Sequence, residues 1–390
     1  MPTRRSTLAR WFFDVRLRSY AAQAALVAAL LWLVWSAVAN AVANLAKQGV
    51  ATGFGFLGTV SGFDISVKLV AYGPGSTYGR ALFVAVLNTL LVSAIGIVLA
   101  TSIGFALGIA RLARNWLLSR LAGAYVEFAR NIPLLLFVFI WYYGVLTALP
   151  PPRTGHALFG AVFLNNRGLV LPAAQDGSAF WAVPVAILAG IGMLAALRAH
   201  RRRHPERFGA APSLTVTLGL ALGLPILAAV AAALAVRWDV PRLQGFNVRG
   251  GVVLNPEFVA LCLALATYTS AFIAEIVRAG ILAVGEGQRD AAKALGLPPG
   301  LTLRLVVIPQ ALRAILPPLA NQYLNLIKNS SFGAAIAFPE IVQVFVGTAL
   351  NQTGQAIEII GLTLAIYLAI NLSVSLLMNW YNHRMRLVTR

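Results

Sequence analysis

Eight apolar runs, each close to the ~20 residues a helix needs to cross hydrocarbon, constrain this chain more than any other feature. They cover 21–43, 82–110, 131–149, 179–197, 213–236, 257–278, 314–336 and 357–379. Apolar residues make up 59% of the sequence and charged ones only 11%, which excludes an ordinary soluble domain. The expected fold class is all-α: a polytopic membrane protein with about eight transmembrane helices.

The net charge of +19 does not call for nucleic acid, because basic residues in membrane proteins mark the cytoplasmic loops. With both termini in the cytoplasm, the inner segments hold 22 of the 31 basic residues. That asymmetry sets the expected orientation. Arginines before the first run, at Arg4, Arg5, Arg10, Arg16 and Arg18, resemble a signal peptide, and Ala37-Val38-Ala39 resembles a cleavage site. The run is too long for a signal core, so an uncleaved first span is expected. Residues 44–80 are Gly-rich, without clear periodicity. Residues 1–80 therefore read as a tail, a span and an external segment, and 81–385 as the transmembrane domain. Two bland spans at about 150–250 read as a peripheral insertion.

One cysteine, Cys262, rules out an internal disulfide. His200 and His204 share helical spacing but sit in an arginine-rich turn, which reads as solvated charge rather than a metal site. Ala100, Gly104 and Gly108 form a small-residue stripe suited to close helix packing. Asn88, Thr89 and Ser93 add polar groups expected to face protein.

The stretch Asp290–Pro309, within a loop at about 286–313, is too polar to cross a membrane. Ala291, Ala294 and Leu295 share one helical face, with Arg289, Asp290 and Lys293 on the rest. Gly296 ends that helix as a C′ glycine, and Pro298-Pro299-Gly300 forbids its continuation. A second amphipathic run, Leu301 to Val307, is expected to break at Pro309. Helix, turn, helix beside a membrane is a module built to be held by a partner.

The spacing of Asp290-Ala291-Ala292, Gly296, Val306 and Pro309 resembles the EAA loop of bacterial ABC-type permeases, with Asp290 and Val306 replacing the usual Glu and Ile. The flanks are similar to permeases of the polar amino-acid uptake subfamily. Phe128-Ala129-Arg130-Asn131-Ile132-Pro133 resembles its Arg-Gly-Thr-Pro motif, departing at Asn131 and Ile132. Glu275-Ile276-Val277-Arg278-Ala279-Gly280, Gly287-Gln288, Pro309-Gln310-Ala311-Leu312, Pro317-Pro318, Asn321 and Lys328-Asn329-Ser330-Ser331 follow the pattern. The resemblance covers about 80–148 and 251–385, and the long form looks like a permease of the general L-amino-acid uptake systems.

That resemblance implies the transmembrane fold of a type I ABC importer in the bacterial inner membrane. It implies a transmembrane permease subunit of an ATP-driven, binding-protein-dependent L-amino-acid importer. The implied partners are cytosolic ATPase subunits, a second homologous permease (a heterodimer, with a homodimer as the alternative), a periplasmic amino-acid-binding protein and membrane lipid. Asp290, Ala291, Ala292, Leu295, Gly296, Leu301 and Pro309 would couple to the ATPase. The chain itself is expected to be no enzyme and to hold no cofactor, ATP being bound by the partner subunit. A P-loop needs Gly before Lys, and Lys47, Lys68, Lys293 and Lys328 follow Ala, Val, Ala and Ile.

For the substrate path, Lys328, Asn329 and Ser330 interrupt an apolar span, and Glu275 lies nearer the inner end of the span before it. Pro317-Pro318 and Gly333 bracket the polar run, so its helix is expected to be discontinuous. The rival for Glu275 is a plain ion pair with Arg278, one turn on. A stand-alone secondary transporter or channel is the alternative function and would need intramembrane acids. Glu275 is the only acidic candidate within about a turn of a span interior. An intramembrane enzyme would need a catalytic cluster at membrane depth, and no such cluster is visible.

Overall fold

A computed structural model of the chain describes residues 15–47, 52–203, 216 and 219–385. Six helical runs are long and apolar enough to cross a bilayer: Arg18–Asn44, Tyr78–Ala110, Gly177–Arg201, Pro256–Leu282, Pro299–Ile336 and Ala356–Trp380. A pair bent by 108°, Trp116–Asn131 with Leu134–Leu146, counts as a seventh if it is one span, and Gly219–Ala235 is a shorter apolar helix. Each of the eight expected runs therefore falls on a helix. His204 and residues 213–215 and 217–218 of the 213–236 run lie outside the described residues.

Residues 139–260 form one compact unit, and the chain on either side forms another. In the larger unit, α1 (Val15–Lys47) is exposed along nearly its whole length. The Gly-rich segment without clear periodicity folds tightly over its described residues from 52 onward. A 3-10 turn at Phe54–Gly58 is followed by a bridge between Val60 and Thr77, and Tyr72 shares a 2.7 Å hydrogen bond with Ser61. Phe56, Ile65, Tyr72 and Tyr78 join Ile341, Val344 and Phe345 in one buried cluster. Aromatic burial, not periodicity, organises this segment, so the sequence carried no regular signal for it.

Thr77 caps α2 (Tyr78–Ala110), its hydroxyl accepting from the Arg80 N–H at 3.2 Å. The stripe on α2 is a packing seam. A Cβ added to Gly104 would lie 2.6 Å from Ile273, and one added to Gly108 2.8 Å from the Ala274 carbonyl. Both contacts are made with a later helix, Pro256–Leu282. Asn88, Thr89 and Ser93 are all buried, and the Asn88 amide donates to the carbonyls of Val67 and Pro339 at 2.7 and 2.9 Å.

The α3 helix (Trp116–Asn131), capped by Asn115, was not legible as a span because it is amphipathic. Trp116, Leu117 and Leu121 are exposed beside Arg120 and Glu127. Ile132, extended before Pro133, ends it, and α4 (Leu134–Phe139) follows, widening into a π turn at Ile140–Leu146.

Beside the helices α5 (Ala182–Arg203) and α6 (Leu224–Ala235), the described residues of the smaller unit form eight short strands, which the reading of two bland spans did not include. These are β1 His156–Leu158, β2 Val162–Asn165, β3 Gly168–Leu171, β4 Ala173–Ala174, β5 Trp238–Asp239, β6 Arg242–Gln244, β7 Asn247–Arg249 and β8 Val252–Leu254. One antiparallel sheet has the order β1-β2-β3-β8, while β4 pairs with β5 and β6 with β7. At two to four residues each, these strands are too short for alternation to register.

The rest of the larger unit is built on α7 (Pro256–Leu282), α8 (Glu286–Ala294), α9 (Pro299–Thr302), α10 (Ile308–Asn329), α11 (Leu350–Thr353) and α12 (Ala356–Met385). Two expected breaks do not occur. Pro309 sits in the first turn of α10, where no N–H is required, and a π turn at Leu303–Val307 carries the chain from α9 into it. Pro317 and Pro318 lie inside α10, which runs through them. A side chain at Gly280 would overlap Ile315, so α7 and α10 pack at close range here, and tertiary packing overrides the local proline preference. The helix changes character only after Asn329, in a 3-10 stretch Ser330–Ile336 that ends at Ala337 with φ 59°.

Candidate functional site

The stretch expected from the sequence to couple to a partner is a helix, a left-handed turn and a second short helix. Its first helix starts at Glu286, four residues before Asp290, so Asp290 lies mid-helix rather than at its start. Gly296 has φ +74°. Its N–H donates to the Lys293 carbonyl at 2.8 Å, and the Leu297 N–H reaches back to the Ala292 carbonyl at 3.0 Å. That pair of bonds is the Schellman closure, which satisfies helix-end carbonyls otherwise left open.

Of the residues assigned to coupling, Asp290, Ala291, Leu295, Gly296, Leu301 and Pro309 are exposed. Leu295 is 80% exposed, and Leu301, Leu303 and Leu305 are also uncovered. Ala292 is the correction: it is buried to 3% and supports the helix from beneath, so it cannot meet a partner directly. Asp290 pairs with Lys293 at 3.3 Å in an exposed i,i+3 contact, worth little by itself. Arg289 ties α8 to the end of α7 by donating to the Ile281 carbonyl at 3.3 Å.

Glu275 on α7 is engaged by two guanidinium groups. Arg278 donates to it at 2.6 Å, and Arg111, just past the end of α2, also bonds to its carboxylate. The plain ion pair weighed from the sequence is thus present and doubled. It links two helices and occupies both carboxylate oxygens.

The polar run divides. Lys328 is exposed and lines a cavity of ~510 Å³ between α10 and α12. Asn329 lines a different cavity of ~220 Å³ with Tyr268, Thr269, Phe272, Gln322 and Asn325. Ser330 is fully buried and donates to the Ile327 carbonyl at 2.7 Å. Successive helical residues point about 100° apart, so three in a row cannot share one wall. The structure does not bring the expected set together.

Sequence reasoning missed a buried acid between two apolar runs. Glu340, after Pro299–Ile336 and before Ala356–Trp380, has 0% exposure. Its oxygens accept the N–H groups of Val342 and Gln343, both at 2.8 Å, and the Tyr367 hydroxyl at 2.9 Å. No basic partner of Glu340 occurs among the described residues. It caps the start of a π-helical stretch, Val342–Ala349, by taking up two backbone N–H groups there. A Pro-Glu dipeptide opening an apolar run was its only sequence signal. Tyr367 lines the same cavity as Lys328, so the buried carboxylate lies directly behind that wall.

The family described as "Binding-protein-dependent transport system inner membrane component" matches residues 94–387. The chain is 49% identical over 393 residues to YhdX of Escherichia coli strain K12, which carries the name of an amino-acid ABC transporter permease protein, and the match spans 100% of both. It is 47% identical to the general L-amino acid transport system permease protein AapQ of Rhizobium johnstonii, over 97% of this chain and 94% of that one. It is 39% identical to the glutamate/glutamine/aspartate/asparagine transport system permease protein BztB of Rhodobacter capsulatus, over 98% and 97%.

Proposed function

This chain belongs to the family of binding-protein-dependent transport system inner membrane components, and from that premise we propose that it is the permease subunit of an ATP-driven importer of L-amino acids. The observation that carries the coupling assignment is the uncovered apolar face of the α8–α9 module. Leu295 at 80% exposure, with Leu301, Leu303 and Leu305, needs a protein surface against it. A cytosolic ATPase subunit is that surface in this reading, and ATP is bound and hydrolysed there rather than in this chain.

A second, homologous permease completes the membrane part as a heterodimer, and a soluble amino-acid-binding protein delivers substrate from outside. Both termini lie in the cytoplasm, as the distribution of basic residues favours. Lys328 and Asn329, each at a cavity wall, are the residues of this chain assigned to the substrate path. Glu275 holds α7 to the end of α2, and Ser330 fixes the turn after α10.

A stand-alone carrier would use an intramembrane acid for ion coupling. Glu340 does not fit that use, since three hydrogen bonds already hold its carboxylate at a helix start. The test is Leu295→Cys in a Cys262→Ala background, cross-linked in native membranes. A covalent product whose second member contains a P-loop ATPase sequence supports the reading. If Leu295→Cys is instead alkylated freely while the importer is assembled and turning over, the coupling assignment fails.

A further inference from the structure

Under the proposed orientation, the strands of the smaller unit lie outside the membrane, and their charge runs against the trend that sets that orientation. Residues 150–178 and 236–256 carry Arg153, Arg167, Arg237, Arg242 and Arg249 against two acids, Asp176 and Asp239. Basic residues in a membrane protein collect on the inner side, so an external excess of this size needs a cause of its own.

The β6–β7 hairpin concentrates that excess. Among the described residues it pairs with no other strand, and two strands alone are marginally stable in water. Gly245, at φ +64°, opens a two-residue turn with Phe246, and the register sets Gln244 opposite Asn247 and Arg242 opposite Arg249. Side chains two apart on a strand share a face, so Arg242, Gln244, Asn247 and Arg249 stand together. Like charges directly opposite each other destabilise a strand pair. Both arginines are exposed, and neither has a carboxylate partner among the described residues. Asp239 borders the same ~290 Å³ cavity as the two arginines, but its Oδ2 accepts from the Gly251 N–H at 2.9 Å. A third guanidinium, Arg167, joins this face by donating to Asn247 Oδ1 at 2.7 Å. At the tip, Phe246 is 75% exposed, with the Arg153 guanidinium 5.2 Å from its ring centre.

We propose that the β6–β7 hairpin is a docking arm for the soluble amino-acid-binding protein, Arg242 and Arg249 receiving carboxylates from an acidic patch on that protein and Phe246 packing against it beside them. The proposal rests on the importer reading above and deepens it by giving the external partner a place on this chain. A guanidinium holds a carboxylate through two parallel hydrogen bonds, so two opposed arginines fit two acidic side chains, and docking relieves the repulsion between them. Arginines and large aromatics carry much of the binding energy at protein interfaces, and this arm presents both. The fixed cross-strand spacing of about 5 Å suits neighbouring side chains on a folded partner, a geometry that mobile lipid headgroups do not require.

The complete importer is reconstituted in proteoliposomes, and ATP hydrolysis and uptake are measured as its binding protein is titrated. Arg242→Glu/Arg249→Glu should raise the half-saturating concentration of binding protein about tenfold or more, because acids would then face acids, while the rate at saturation is still reached. Arg242→Lys/Arg249→Lys keeps the charge and should stay within about threefold of the wild type. Arg242→Gln/Arg249→Gln should give a smaller rise than the reversal and a weaker dependence on salt. Its thermal unfolding midpoint should not fall, since the substitution removes a repulsion. A half-saturating concentration unchanged by the reversal would overturn the docking arm while the importer reading survives. An equal rise in Arg237→Glu, outside the hairpin, would assign the effect to overall charge and overturn the arm as well. So would a weakening in the Gln pair that tracks a lowered unfolding midpoint. Uptake by the reversal variant that follows the anionic lipid content of the vesicles, with its dependence on binding protein unchanged, would make the bilayer the partner and sink the proposal. A wild type that no soluble binding protein stimulates would overturn the importer reading itself, and the docking arm with it.

Discussion

Gly296 offers a perturbation whose cost can be worked almost entirely from backbone geometry. A Cβ built at this position meets nothing within 4 Å, so the first atom of a side chain there is free of steric clash. What remains is the conformation, φ +74°, which ordinary L-residues enter at a cost of roughly 1–2 kcal/mol and which Asn tolerates better. The strain should therefore rank Gly, Asn, Ala, Val, with Val highest because branching at Cβ crowds this region. Proline is a different case. It cannot adopt positive φ, and it deletes the N–H that reaches the Lys293 carbonyl at 2.8 Å. A cost of ~1–2 kcal/mol reduces the population of the closed turn by up to about 5- to 30-fold, so coupling should decline in the same order. The assay is ATP hydrolysis stimulated by the binding protein in proteoliposomes, alongside quantitation of the assembled complex. Gly296→Pro is expected to abolish stimulation and uptake while the chain still inserts. If Val and Pro behave like the wild type, or if Asn is as damaging as Pro, the turn is not what presents the module.

Asp290→Arg places a second cation beside Lys293, reverses the charge on the exposed face of α8 and is expected to abolish uptake without preventing insertion; normal uptake would leave that face as ordinary surface. Cysteines at Ser178 and Ala199 in a Cys262→Ala background should react with an impermeant thiol reagent from opposite sides of the membrane. Labelling of both from outside would break the proposed orientation. Glu340→Ala removes the acceptor for two backbone N–H groups and the Tyr367 hydroxyl, and a loss of about 2–5 kcal/mol should appear as a lower midpoint in thermal unfolding of the detergent-solubilised complex, with Glu340→Gln intermediate; an unchanged midpoint in Glu340→Ala would refute its anchoring role. Gly104→Leu forces a side chain into the space held by Ile273 and should prevent assembly, whereas the same change at Gly123, where nothing lies within 4 Å, should be accepted.

The spans were legible because membrane hydrocarbon imposes length and apolarity on each of them separately, so no tertiary knowledge was needed. The turn at Gly296 was legible for a related reason: its positive φ and the Pro298-Pro299 stop are local chemistry. Other features depended on contacts that sequence spacing does not encode. Pro317-Pro318 reads as a break, yet the close approach of Gly280 to Ile315 keeps α10 helical through it. Lys328 and Asn329 read as one polar cluster, yet helical rotation sends them to two cavities. Glu340 was hidden because its partners are two amides next to it and a tyrosine 27 residues away, none of them a charged residue that would draw attention.

Pro299 to Ile336 is a single helical run of 38 residues in which the only departures from α geometry are the π turn at Leu303–Val307 and the closing 3-10 stretch. Mechanically, α10 is a stiff rod of about 33 Å with a compliant collar at one end. In the proposed coupling, a displacement applied to the module beyond that collar would be partly absorbed there as bending before it reached Lys328. The stiffness of those five residues therefore sets the gearing between the two ends. Tightening the collar should transmit more of each stroke, and loosening it should let the module move while the cavity stays still.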